Sequence, residues 1–183
     1  DLRTILNYHI QDWKHQYNIH MDETEPDVAF AQIIKKLSEE WKSPVVILID
    51  EYDSPLLATL DNEPLHDQYR RMLKAFYGVI KKMNEYIHLS FITGVTKFSK
   101  VSIFSDLNNL EDISLNAQYS SICGITEEEL HANCRLHIQD LADRRNKTYE
   151  EMSDMLRRKY DGYRFSEKEE RMYNPFSLCL AFT

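Results

Sequence analysis

The sequence predicts an α/β fold, a parallel sheet layered between helices and followed by a mostly helical lobe. Three observations lead there. The run "VVILIDEYDSPL" (45–56) opens aliphatic, without polar alternation, and stops at two adjacent acids, Asp50 and Glu51. Such a run fits a strand covered on both faces. A second apolar run, "YIHLSFITG" (86–94), follows a long amphipathic stretch at 65–84. Strand, helix and strand then make a βαβ unit, which is parallel. Beyond Gly124, "TEEEL" (126–130) and "TYEEM" (148–152) both carry Thr-x-x-Glu, the box that opens a helix.

Taken in order, residues 1–18 place Leu2, Leu6, Ile10, Trp13 and Tyr17 at helical spacing. Residues 27–42 repeat the habit with Phe30, Ile34, Leu37 and Trp41, and "KSP" (42–44) ends that helix, because the residue before proline is pushed out of the α region. The strand 45–50 follows. Ser54 and Pro55 read as the cap and first turn of a short helix, and Asp53 as a further cap. In the helix 65–84, Tyr69, Met72, Leu73, Phe76, Ile80 and Met83 form one apolar stripe. "YSSICG" (119–124) reads as a third short strand. "YDGYRF" and "RMYNP" (160–165, 171–175) read as a hairpin, and Asn174–Pro175 as the start of a last helix. The division this predicts is an α/β part at 1–123 and a helical lobe at 124–183.

Composition bounds the function. The 183 residues are 43% apolar and 28% charged, with no low-complexity linker, which suits one domain with a small appendage. A formal charge of −8 disfavours nucleic-acid binding, which needs a basic face. The basic groups Arg144, Arg145, Lys147 and Arg157, Arg158, Lys159 are interleaved with acids and read as solvated helix faces. Cysteines 123, 134 and 179 are odd in number and far apart, a reduced pattern that implies the cytoplasm. No apolar run nears the roughly 20 residues of a membrane span. The chain opens on Asp1 and stops inside "FSLCLAFT", so an excerpt of a longer protein is expected.

Carboxylates at the carboxyl end of a parallel strand sit where open α/β sheets bind ligands. One acid there can hold Mg²⁺ against nucleotide phosphates, and a second can orient or deprotonate water. This is the Walker B arrangement, with Asp50 as the metal partner and Glu51 as the base. The plain alternative is that turns and caps simply favour acids. Thr93 ends the next strand, where a sensor of the γ-phosphate would fall; a threonine merely packed at a strand end is the alternative. Lys97 and Lys100 are placed to reach a phosphate, or are ordinary solvated lysines.

"VVILIDEYDSPL", "FITGVTKFSKVSIFSDLNNLEDISL", "GITEEEL", "KYDGYRF" and "YNPFSL", in that order, resemble the bacterial AAA-ATPase-like family over roughly residues 40–183. The resemblance implies a P-loop NTPase fold, ATP and Mg²⁺ as ligands, and Asp50 and Glu51 in the Walker B roles. Members typically continue into a PD-(D/E)XK nuclease-like domain. The Walker A loop and first strand of that family lie upstream. No glycine here (78, 94, 124, 162) is followed by lysine, so no phosphate cradle is expected within this chain and the sheet is expected to be partial. A nuclease centre at "IDEYD" is disfavoured because the acid-x-Lys triplet is missing.

Three other groupings carry residue types with possible chemistry. His131, Cys134 and His137 have types that suit zinc but no fourth ligand, and read better as one helix surface with a buried cysteine. Arg164 can reach a γ-phosphate from the lobe, or pair with Asp161. Tyr160, Tyr163, Phe165, Tyr173 and Phe176 read as the lobe's core. The competing function is a non-catalytic scaffold that binds a protein partner or its own copy through an exposed sheet edge. Convergence of residues 50, 51 and 93 favours the ATPase reading; acids locked in ion pairs away from Thr93 favour the scaffold.

Overall fold

Helix spacing and caps decide most of the architecture. The computed structural model describes residues 1–95, 102–104, 109–164 and 171–183. The chain divides into two units, Asp1–Leu110 and Glu111–Thr183.

In the first unit, α1 (Leu2–Gln16) starts where the Asp1 side chain accepts from Arg3 N, and it buries Leu2, Leu6 and Ile10. Helix α2 (Pro26–Trp41) begins with proline and ends at Lys42 in the left-handed region, with φ 51°. Strand β1 (Val45–Ile49) then leads through a single turn of helix, α3 (Ser54–Leu57), to α4 (Glu63–Lys82). Asn62 caps α4 by accepting from Leu65 N, and Leu73, Phe76, Tyr77 and Ile80 recur at i, i+3, i+4 and i+7 on its buried face. Strand β2 (Ile87–Ile92) returns beside β1 in parallel register.

The core of this unit packs α1, α2 and α4 with Val45 and Ile47 of β1. Phe30 and Phe76 stack at 4.6 Å between ring centres, 8° from parallel. Such a pair contributes about 1 kcal/mol beyond its burial. Leu73 is almost wholly buried, so Leu73→Ala would cost about 2–5 kcal/mol.

The sheet departs from expectation. Among the described residues it has two strands, and helices cover one face. On the other face Val46 is 53% exposed, Leu48 73% and Leu89 51%. A sheet layered on both sides is therefore not seen among the described residues. The continuous aliphatic run that suggested two covered faces reflects one covered face and one open apolar face.

In the second unit, α5 (Glu127–Asn133), α6 (Arg135–Arg144), α7 (Tyr149–Tyr160) and α8 (Pro175–Phe182) enclose a separate core of Leu130, Ile138, Leu141, Ala142, Met152, Leu156, Tyr173 and Leu178. Both expected capping boxes form, Thr126 with Glu129 and Thr148 with Glu151, and Asn174 caps α8 by accepting from Ser177 N. Strands β3 (Asp161–Tyr163) and β4 (Met172–Tyr173) pair antiparallel, as the hairpin reading required.

Two expectations fail here. Residues 119–124 are turns, because Asn116 caps a helical turn at Ala117–Tyr119 and Ile122 N bonds back to Tyr119 O. The bridge to β4 forms one residue later, at Ile125. The aromatic cluster also divides: Tyr173 is buried, while Tyr163 and Phe176 are exposed and Phe165 lies outside the described residues.

Candidate functional site

Parallel pairing places the two strand ends side by side. Ile49 is opposite Ile92, so the next residues, Asp50 and Thr93, meet. The ladder runs on past both strands: Thr93 N donates to Ile49 O at 2.8 Å, and Tyr52 N donates to Thr93 O at 3.0 Å. Across this join the Thr93 hydroxyl donates to Asp50 Oδ1. The same oxygen accepts from Glu51 N at 3.0 Å.

Glu51 adopts a left-handed backbone, φ 51°. For a non-glycine residue this conformation is uncommon, and it tends to occur where the surrounding structure imposes it. Here the imposing contacts are the Asp50 carboxylate on Glu51 N and the turn closed by Ser54 N on Glu51 O at 3.0 Å. The Glu51 side chain is exposed and has neither a hydrogen bond nor an ion pair among the described residues.

Asp53 behaves unlike a cap. It occupies the N-cap position of α3, yet its side chain makes no capping bond. Instead the carboxylate, 1% exposed, accepts from Val95 N with both oxygens, at 3.2 and 3.1 Å. Beside it, Tyr77 donates to Tyr52 O at 3.3 Å. Burial, then the Asp53 charge, push the Tyr77 phenol up to about 12. Gly94 is required by this contact, because a Cβ there would lie 2.4 Å from the Tyr52 ring and 2.7 Å from Asp53 Oδ1.

Lys97 and Lys100 lie outside the described residues. Arg164 follows β3 in the second unit, is exposed, and makes no ion pair with Asp161. The Asp161 carboxyl is instead raised, first by burial and then by Glu127, against the opposing charges of Arg171 and Arg157.

The zinc-like residues are also dispersed. His131 is on α5 and His137 on α6, with Cys134 half-buried at the break between them. His131 Nδ1 meets Tyr149 Oη at 2.6 Å, and its Nε2 meets Glu127 at 3.0 Å and Ser153 at 3.2 Å. Serine and glutamate share one ring nitrogen, so the trio is not a nucleophile–base–acid relay, which needs both. Tyr173 donates to Glu127 as well, and the group ties α5, α7 and β4 together. Sequence spacing gave no sign of this knot, because apart from His131 and Glu127 on one helix its bonded partners are 18 to 46 residues apart.

Among the described residues no three His, Cys, Asp or Glu side chains cluster as a metal cage, and no helix is long and apolar enough to cross a membrane. A family model described as "Predicted AAA-ATPase" matches residues 1–104. An uncharacterized protein in the vnfD 5′ region of Azotobacter chroococcum mcd 1 is 38% identical over 153 residues, which is 84% of this chain. The chain spans 27% of that relative's length. No solved structure matches. The chain belongs to the AAA-ATPase-like family.

Proposed function

We propose that this chain supplies the acid pair and the sensor threonine of a Mg²⁺–ATP-hydrolysing centre. The observation that carries the reading is the Asp50–Thr93 hydrogen bond at adjoining strand ends, with an unpaired Glu51 next to it. The donors suit magnesium: they are hard carboxylate and hydroxyl oxygens, and Mg²⁺ takes one or two carboxylates beside substrate phosphates rather than a full protein cage. Asp50 would hold the ion, which when bound neutralises charge on the phosphates.

The chain's own groups have distinct tasks. Thr93 holds one oxygen of Asp50 and fixes the rotamer of the carboxylate. Glu51, free and exposed, accepts the proton of the attacking water. Lys97, Lys100 and Arg164 remain candidates for phosphate contact. The phosphate cradle comes from a segment outside residues 1–183, so these residues alone hydrolyse ATP negligibly. Saturable hydrolysis by the isolated chain, abolished in Glu51→Gln, would overturn that expectation.

Asp50→Asn tests the reading in the complete protein. Its hydrolysis should need far more Mg²⁺ than wild type, because one charged ligand is gone. An unchanged Mg²⁺ dependence would count against Asp50 as the metal partner.

The open apolar face of Val46, Leu48 and Leu89 favours a second reading, in which the sheet is a scaffold for another polypeptide segment. The two readings are compatible, since the acids sit at the strand ends and the apolar groups on the face.

A further inference from the structure

Among the described residues of the first unit the Asp53 carboxylate is the least accessible charged side chain, and the ordinary uses of an aspartate at that position do not explain it. An N-cap aspartate accepts from the first amides of its own helix. Asp53 gives this up and reaches across to Val95 N. Tyr52, Tyr77 and Phe104 pack together beside it: Tyr52 and Phe104 have ring centres 4.8 Å apart, and Tyr77 and Phe104 5.5 Å. A charge-assisted bond in such a poorly hydrated place is strong, and a buried carboxylate left without it is costly.

The bond closes a short circuit. Val95 is two residues beyond Thr93, and Asp53 is three beyond Asp50. Cross-links between the two segments include Thr93 N to Ile49 O, Thr93 Oγ1 to Asp50, Tyr52 N to Thr93 O, and Val95 N to Asp53. Cutting the last removes the hydrogen bond on Val95 N, the cross-link that lies C-terminal to the Thr93 carbonyl.

We propose that Asp53 is a positioning residue: it clamps the segment after β2 onto the acid loop and thereby keeps the Thr93 hydroxyl on Asp50. In this role it acts through Thr93 rather than on nucleotide or water. The proposal rests on the ATPase reading for its consequence in turnover, and on geometry alone for the clamp. Gly94 is its counterpart, the one residue without a Cβ that would strike Tyr52 and the carboxylate.

The test uses the complete protein that carries this chain, with Asp53→Ala, Asp53→Asn and Gly94→Ala variants. Two readouts are taken on each: hydrogen exchange of the peptide covering residues 93–95, and ATP turnover beside nucleotide affinity. The clamp predicts that Asp53→Ala speeds that exchange and lowers kcat roughly 10–100-fold, the scale of a small misplacement at a reacting centre. Nucleotide affinity should stay near wild type, because no binding group is removed. Asp53→Asn should recover most of the turnover, since its amide oxygen still accepts from Val95. Gly94→Ala should resemble Asp53→Ala, and carries the test if the alanine variant does not fold.

Freed exchange with unchanged kcat would overturn the proposal, and so would kcat and affinity falling together. Rapid exchange at 93–95 in wild type would remove the clamp itself. Wild-type protein without ATPase activity would instead overturn the function reading, and the exchange data would still decide whether the clamp exists.

Discussion

Thr93 and Asp50 are 43 residues apart in sequence and share a hydrogen bond at the ends of two parallel strands. Their meeting follows from register. With Ile49 opposite Ile92, the first residue past each strand is forced to the same edge of the sheet. Thr93→Val keeps the shape and removes the donor. Because the pair is open to water, folding stability should fall by no more than about 1 kcal/mol. ATP turnover by the complete protein should fall about tenfold or more. Thermal melting and a steady-state assay check both, and a loss confined to stability would make Thr93 a strand-end residue only.

The capping boxes make a pH-dependent prediction. The Glu129 carboxyl lies below its ordinary range because Thr126 donates to it, first from its backbone and then from its hydroxyl. A lowered acid contributes stability that is present above the unfolded value and lost as pH falls through the folded one. Wild type and Glu129→Gln should therefore differ in melting temperature at neutral pH and converge as the pH drops below about 4. A constant difference across that range would contradict the assignment.

Asp161 has the opposite sign. Its carboxyl is raised, mainly by burial, and its Oδ1 is buried without a hydrogen-bond partner among the described residues. A raised acid opposes folding while ionised, and the penalty fades as pH falls through the folded value. Asp161→Asn should then melt higher than wild type at neutral pH, with the gap closing in acid. A lower melting temperature at neutral pH would mean that its attraction to Arg157 and Arg171 outweighs desolvation.

The open sheet face predicts association. At 73% exposure, Leu48 is the most accessible aliphatic side chain of β1 or β2. The isolated chain should show concentration-dependent self-association by light scattering, and Leu48→Lys should reduce it without altering far-UV circular dichroism. Equal scattering from both would place the sticky surface elsewhere.

Local signals explain which features were legible. The stripe of α4, the Asn174–Pro175 helix start and the two Thr-x-x-Glu boxes act within one or two turns, so a linear reading finds them. The strand ends were legible for a similar reason, since an aliphatic run that stops at acids states its own boundary. What covers a strand is decided by segments far away, and the identical aliphatic run is compatible with one covered face or two. Asp53 was misread because its N-cap position before Ser-Pro satisfies the local rule, while its actual partner is 42 residues away. The strand expected at 119–124 is replaced by turns because Asn116, just upstream, caps a helical turn at Ala117–Tyr119.

In the proposed ATP-hydrolysing site Glu51 is the base. The direct measurement is steady-state ATP hydrolysis by the complete protein and by its Glu51→Gln form, with nucleotide binding measured on both. The account predicts a loss of about 10²-fold or more with binding kept, the scale of general-base catalysis. Equal rates, or no hydrolysis by either, would contradict it and leave the strand ends as the corner of a scaffold.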